Sequence, residues 1–146
     1  GHIFREMAKE KTKIGRYLKE VMNSGALIPD DTTLEIVSEY LKRPEYKKGY
    51  IMDGFPRTSK QAEAFENGID KVVYLKVSDR EALWRLSYRT DQREDDTLSA
   101  LRKRIELFHE VTKPVFEYYR KKGYLIEIDG EKEIEEITSE ILEKLK

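Results

Sequence analysis

From Gly49 to Ala62 the chain reads Gly-Tyr-Ile-Met-Asp-Gly-Phe-Pro-Arg-Thr-Ser-Lys-Gln-Ala, with its polar groups spaced for anion chemistry. A short apolar run ends on the carboxylate of Asp53, turns through Gly54 and Pro56, and enters a capped helix. That pattern reads as a buried strand delivering charged groups to the C-terminal edge of a sheet, where ligands bind. Gly54 lets a backbone or a phosphate come close, Pro56 sets the turn, and Arg57 supplies a planar fork suited to a phosphate or a carboxylate. An Asp-Gly alone would read as a strand ending in a turn with an exposed arginine; the full string is more specific. Thr58 and Gln61 also have the spacing of a capping box, so part of the Gln61 signal is explained by helix-start chemistry, a reading that coexists only partly with a ligand role.

Further arginines lie at distant points of the chain. Arg85 and Arg89 fall four apart, on one helical face, whereas Arg102 and Arg104 cannot share a face, so at most one of them joins that pair. Arg93, Asp95 and Asp96 sit in the polar loop 90–96. Arginines around an aspartate pair fit either an anion site or a structural salt-bridge network. Arg5, taken alone, is a solvated helix charge.

The elements that must position these groups follow from periodicity. Ile3, Phe4, Met7 and Ala8 form one amphipathic stripe; Ile14, Tyr17, Leu18, Val21 and Met22 form a second, stopped by Gly25. Pro29-Asp30-Asp31-Thr32 opens a third helix carrying Leu34, Val37, Tyr40 and Leu41, which ends before Pro44. Lys71–Val77 is a β-branched run expected to be a central strand. Ser78-Asp79-Arg80-Glu81 reads as a capping box for a helix with Ala82, Leu83 and Leu86 inside and Trp84 at a surface or interface. A long helix follows with a stripe of Leu98, Leu101, Ile105 and Phe108, kinked or broken at Pro114. His109, just ahead of it, reads as a packed or half-exposed helix residue. Gly123 ends that helix, Tyr124–Ile128 is a strand, Asp129-Gly130 turns, and Ile134, Ile137, Ile141, Leu142 and Leu145 line a closing helix. All these aliphatic stripes are expected to face the core. Strands alternating with helices make the class α/β with a parallel sheet.

Composition excludes several alternatives. The 146 residues suit one domain with a real core. Charged residues make up 39% of the chain, yet the net charge is −1 and the positive charges do not cluster, which argues against a nucleic-acid surface. With no cysteine and two histidines, neither a disulfide framework nor a thiolate or histidine-rich metal site is expected. No apolar run approaches the ~20 residues a membrane span needs, so a water-soluble, cytoplasmic protein is expected. Gly1-His2 reads either as native or as a remnant of tag removal.

The string Asp53-Gly54-Phe55-Pro56-Arg57-Thr58 resembles the corresponding segment of the adenylate kinases and their nucleoside monophosphate kinase relatives. The resemblance implies a P-loop kinase-like three-layer α/β/α fold, with residues 2–45 as the monophosphate-binding helices of a single domain spanning 1–146. It implies that Arg57 holds the phosphate of AMP, Gln61 reads the adenine and Asp53 sits near a magnesium ion through water, with Gly54 close to the monophosphate. The order Ile3-Phe4-Arg5-Glu6, then Gly25-Ala26-Leu27-Ile28-Pro29-Asp30, is similar to the family's monophosphate helices, which places Arg5 on AMP and Leu27 and Ile28 along its adenine. Arg85 then matches the residue against the donor adenine, Arg89 and Arg93 those on the ATP phosphates, and Arg104 one that bridges the transferring group and the AMP side. Asp95 and Asp96 match a pair that orients these arginines. Residues 90–96 resemble a shortened lid, with three residues between Arg89 and Arg93.

The implied activity is reversible transfer of a phosphoryl group from magnesium-bound ATP to AMP, giving two ADP. Such transfer concentrates negative charge that arginines, Mg2+ and a backbone cradle must neutralise. The arginines are present, but the glycine-rich cradle G-x-x-x-x-G-K-S/T occurs nowhere among the eight glycines. In the family that loop, with its strand and helix, precedes the segments matched here, and its strand lies between those matching 49–53 and 71–77. Its absence is expected to leave two open strand edges and an apolar slot; the chain then reads as a piece of a longer product, as a deliberately truncated form, or as one that covers the slot by self-association or rearranged strands. The alternative to an active kinase is therefore a nucleotide-binding or self-assembling fragment, without turnover.

Overall fold

The computed structural model describes residues 1–65, 68–89 and 97–146. The chain opens with α1 (His2–Lys9) and α2 (Lys13–Asn23), which pack against each other. Thr12 starts α2 by accepting from the Gly15 amide at 3.0 Å, a cap that contributes about 1 kcal/mol. Leu18 is fully buried, while Ile14 and Tyr17 of the same stripe stay partly in solvent. Gly25 ends the pair with φ +77°, and the Ala100 backbone occupies the place a Cβ there would need.

Helix α3 (Asp30–Leu41) begins where expected. Asp30 and Asp31 fill its first turn, where carboxylates oppose the helix dipole, and Thr33 and Val37 face inward. A single tight turn at Pro44–Tyr46 leads to the segment expected to be a buried strand. It is not one. Residues 49–53 run without ladder bonds and the Ile51 side chain is fully exposed. A strand persists only if a neighbour takes its backbone N–H and C=O groups, and none of the described residues lies alongside to do so.

After a cis Phe55–Pro56 bond the chain enters α4 (Ser59–Ala64), capped by Thr58. Strand β1 (Val72–Lys76) then pairs in parallel with β2 (Leu125–Asp129), in register from Val72 opposite Leu125 to Lys76 opposite Asp129. The class is α/β with a parallel sheet, as the alternation of elements implied. Among the described residues that sheet has two strands, so β1 is an edge and not the expected central strand. Val72 and Tyr74 face the core, the Tyr74 ring stacking on Phe116 at 3.8 Å between centroids, while Val73 and Leu75 point to solvent.

The crossover from β1 to β2 carries α5 (Asp79–Ser87), α6 (Leu98–Leu107) and α7 (Lys113–Lys121). Ser78 caps α5, but Glu81 turns to Arg85 instead of closing the expected box, because the Ser78 amide is taken by Glu131 at 3.1 Å. Between α6 and α7, residues Phe108–Thr112 form one widened turn, and Pro114 occupies the first turn of α7, where its missing N–H is not needed. The break expected at Pro114 takes this form. His109 is half-exposed, as expected, with Nε2 2.7 Å from Asp79 Oδ1.

Ala62 of α4 packs on Val115 and Tyr119 of α7, joined by Ile69, Val72 and Leu125. Helix α8 (Ile134–Lys144) closes the chain behind a complete Glu133/Glu136 capping box. The assumption that every aliphatic stripe faces the core fails at Leu98, Ile134, Leu142 and Leu145, all exposed. Periodicity marks a face; only a neighbour makes it a core face.

Candidate functional site

The loop 53–58 is held from three directions. Arg57 Nε donates to the Gly54 carbonyl at 2.7 Å, the Arg57 amide donates to Gln61 Oε1 at 2.8 Å, and Thr112 Oγ1, from the widened turn, donates to the Arg57 carbonyl at 2.9 Å. The Gln61 side chain is 3% exposed and its Nε2 donates to Asp30 Oδ1 at 3.0 Å, which also accepts from Thr58 Oγ1 at 2.7 Å. Thr58 caps α4 through the Gln61 amide, but Gln61 reaches the Arg57 amide and not that of Thr58. The expected capping box is thus half formed, and the Gln61 amide braces α3 against the arginine loop.

Beside this loop lies a cavity of about 230 Å³. Arg5 reaches it from α1, Leu27 and Ile28 from the segment before α3, Gly54, Arg57 and Gln61 from the arginine loop and α4, Arg89 from just beyond α5, and Arg104 from α6. Four arginines from four separate parts of the chain therefore line one hollow with an apolar flank. A second cavity of about 490 Å³ adjoins it, sharing Arg5, Arg57 and Arg89 and adding Asp53 with the apolar side chains of Ile36, Tyr40, Ile51 and Met52. Burial pulls the Arg57 guanidinium below its ordinary pKa; Asp53 opposes this and the Arg5 charge adds to it. Arginine remains charged at neutral pH even so, and a concentrated positive field of this kind favours an anion.

Arg85 is elsewhere. It binds Glu81 Oε1 at 2.7 Å and the Gly130 carbonyl at 2.9 Å, at the turn that follows β2. The shared face expected for Arg85 and Arg89 does not survive, because α5 ends at Ser87 and Arg89 leaves the helical track. Arg102 is exposed while Arg104 lines the cavity, as their two-residue spacing required. Arg93, Asp95 and Asp96 lie outside the described residues.

Sequence reasoning did not single out Thr33, Met22 or Leu86 as cavity residues, nor Asp30 as the partner of Gln61. Asp30 carried a signal, a carboxylate directly after Pro29, but a helix start explained it fully. Among the described residues no group of three or more histidine, cysteine, aspartate or glutamate side chains could hold a metal, and no helix is long and apolar enough to cross a membrane.

The family model described as adenylate kinase matches residues 1–124. The chain belongs to the adenylate kinase family. It is 36% identical to an adenylate kinase of Caldicellulosiruptor saccharolyticus, covering 99% of this chain and 84% of the relative. It is 35% identical to one of Archaeoglobus fulgidus, over 100% and 85% of the two chains, and 39% identical to one of Azobacteroides pseudotrichonymphae, over 99% and 81%. The alignment with the Caldicellulosiruptor adenylate kinase runs over 181 positions, more than this chain has residues, so that relative carries internal segments absent here; with the Azobacteroides adenylate kinase it runs over 154. The fold class, α/β with a parallel sheet of the P-loop kinase kind, agrees with this membership.

Proposed function

We propose that the chain is an adenylate kinase-like phosphotransferase acting between magnesium-bound ATP and AMP. The observation that carries this reading is the meeting of Arg5, Arg57, Arg89 and Arg104 with Leu27, Ile28 and Gln61 around one cavity. Arg5 and Arg57 hold the AMP phosphate, with Gly54 beneath it. Leu27 and Ile28 lie along the adenine and Gln61 reads its edge. Arg89 and Arg93 hold the donor phosphates, Arg104 bridges the transferring group, and Arg85 lies against the donor adenine at the Gly130 turn. Asp95 and Asp96 orient the lid arginines. Positioning and charge neutralisation supply most of the rate in such a reaction, and these residues offer both.

Asp53 is one exposed carboxylate lining the second cavity with Arg5, Arg57 and Arg89, which suits Mg2+, an ion that keeps most of its waters and takes few protein ligands. Asp53 would hold it through water. When bound, magnesium neutralises charge on the phosphate oxygens. Nucleotides are the partners in this reading; neither nucleic acid nor a membrane is one, and the setting is the cytoplasm, in nucleotide biosynthesis.

A second reading is favoured by the lack of G-x-x-x-x-G-K-S/T in these 146 residues and by the exposure of Ile51, Val73 and Leu75. In it the chain binds AMP and self-associates without turnover. A coupled assay for ADP formed from ATP and AMP separates the two. Turnover far above background supports the kinase and requires a substitute cradle. AMP binding without turnover supports the fragment. Failure to bind AMP at all overturns both.

A further inference from the structure

We infer that Asp30 is a positioning residue for base selection: by fixing which end of the Gln61 side-chain amide faces inward, it lets the site discriminate 6-aminopurine from 6-oxopurine monophosphates. The inference rests on the adenine-reading role proposed for Gln61. Two neighbours clamp that buried amide. The Arg57 backbone N–H can only donate, and it meets Oε1 at 2.8 Å; an ionised carboxylate can only accept, and Asp30 Oδ1 meets Nε2 at 3.0 Å. Turning the amide over would set donor against donor and acceptor against acceptor. Asp30 is itself held, since Thr58 Oγ1 donates to the same Oδ1 at 2.7 Å.

Each end of the amide keeps one unused capacity, an N–H on Nε2 and a lone pair on Oε1, and Gln61 lines the cavity. A 6-aminopurine edge offers an exocyclic donor beside a ring acceptor. A 6-oxopurine edge offers the same two functions in reverse order. An amide free to turn over could serve both edges, whereas an amide fixed in one sense serves one. Asp30 thereby influences a nucleobase it need not touch.

The test is equilibrium titration of the full chain and its variants with AMP and with GMP. Asp30→Ala is expected to lower the ratio of AMP to GMP affinity by about tenfold, the effect of one hydrogen bond to a charged group. Asp30→Asn keeps an oxygen at the Oδ1 position and restores most of the ratio. Asp31→Asn removes the same charge from the same turn, where Asp31 pairs with Lys60 at 3.0 Å and not with Gln61, and leaves the ratio unchanged. An unchanged ratio in Asp30→Ala, or equal loss of both nucleotides, overturns the inference while leaving the AMP site standing. An unsubstituted chain that does not bind AMP overturns the site and the inference together. If Asp30→Ala does not fold, NMR of the Gln61 side-chain amide in the unsubstituted chain decides. One slowly exchanging Nε2 proton supports the clamp, and two protons exchanging as in free glutamine overturn it.

Discussion

Arg57 lies folded over Gly54. Its Nε donates to the Gly54 carbonyl at 2.7 Å, and a Cβ on Gly54 would stand 2.8 Å from Arg57 Nη2. Gly54 also has φ +80°, which side chains disfavour. Gly54→Ala is therefore expected to strain the backbone by about 1–2 kcal/mol and to displace the guanidinium, lowering AMP affinity about tenfold. Calorimetric titration with thermal unfolding checks both; a folded variant with full AMP affinity would show that Arg57 does not need this perch.

Arg57→Ala should weaken AMP binding by about 10- to 100-fold, the range for losing a hydrogen bond to a charged partner, and weaken ATP binding much less. Arg57→Lys keeps the charge but not the fork, and should recover only part. Equal losses for both nucleotides would take Arg57 off the monophosphate.

Gly25 and Gly123 share nearly the same backbone, φ +77° and +74°, but not the same surroundings. A Cβ on Gly25 would meet the Ala100 carbonyl oxygen at 2.6 Å, whereas one on Gly123 meets nothing within 4 Å. Gly123→Ala should cost only the left-handed conformation, about 1 kcal/mol. Gly25→Ala should cost more than about 2 kcal/mol, because the obstacle is backbone that cannot rotate away. Thermal unfolding of the two variants side by side measures the difference.

Alkaline stability is predicted to hinge on Tyr119. Burial, with a smaller contribution from Tyr118, raises its phenol from 10.0 to about 12. The folded chain thus keeps a proton that the unfolded chain loses first, so stability is whole below pH 10 and falls as the pH climbs through about 12. The loss should total roughly 2–3 kcal/mol. The buried Oη makes no hydrogen bond among the described residues, so Tyr119→Phe should be neutral or slightly stabilising near pH 7 and should flatten this decline. Denaturant titrations between neutral and strongly alkaline pH would reveal it; a decline just as steep in Tyr119→Phe would place its origin elsewhere.

Ile51 leaves its side chain in solvent, as do Val73 and Leu75 in part on β1, which is an edge strand among the described residues. The chain is expected to self-associate there, and Ile51→Glu combined with Leu75→Glu should shift it toward monomer in sedimentation velocity. A monomeric unsubstituted chain would contradict this.

Local chemistry was enough for much of the molecule. Helix starts at Asp30, Thr58 and Ser78, the stop at Gly25, the break near Pro114 and the β-branched run of β1 all follow from neighbours a few residues away, as sequence reading requires. The Asp-Gly-Phe-Pro-Arg-Thr string pointed to the family for a related reason: its six residues are consecutive, so the pattern is complete within the sequence itself. Whatever needed a distant partner was settled by tertiary structure alone. Residues 49–53 have a strand's composition but, among the described residues, no adjacent strand to accept their hydrogen bonds, and Leu98 and Ile134 have a core stripe's spacing but stay exposed among the described residues. Arg85 and Arg89 parted because a helix ended between them, and Asp30 met Gln61 because α3 and α4 pack together. Intrinsic preference acts over a few residues, while burial and hydrogen-bond satisfaction depend on groups that only the folded chain brings near.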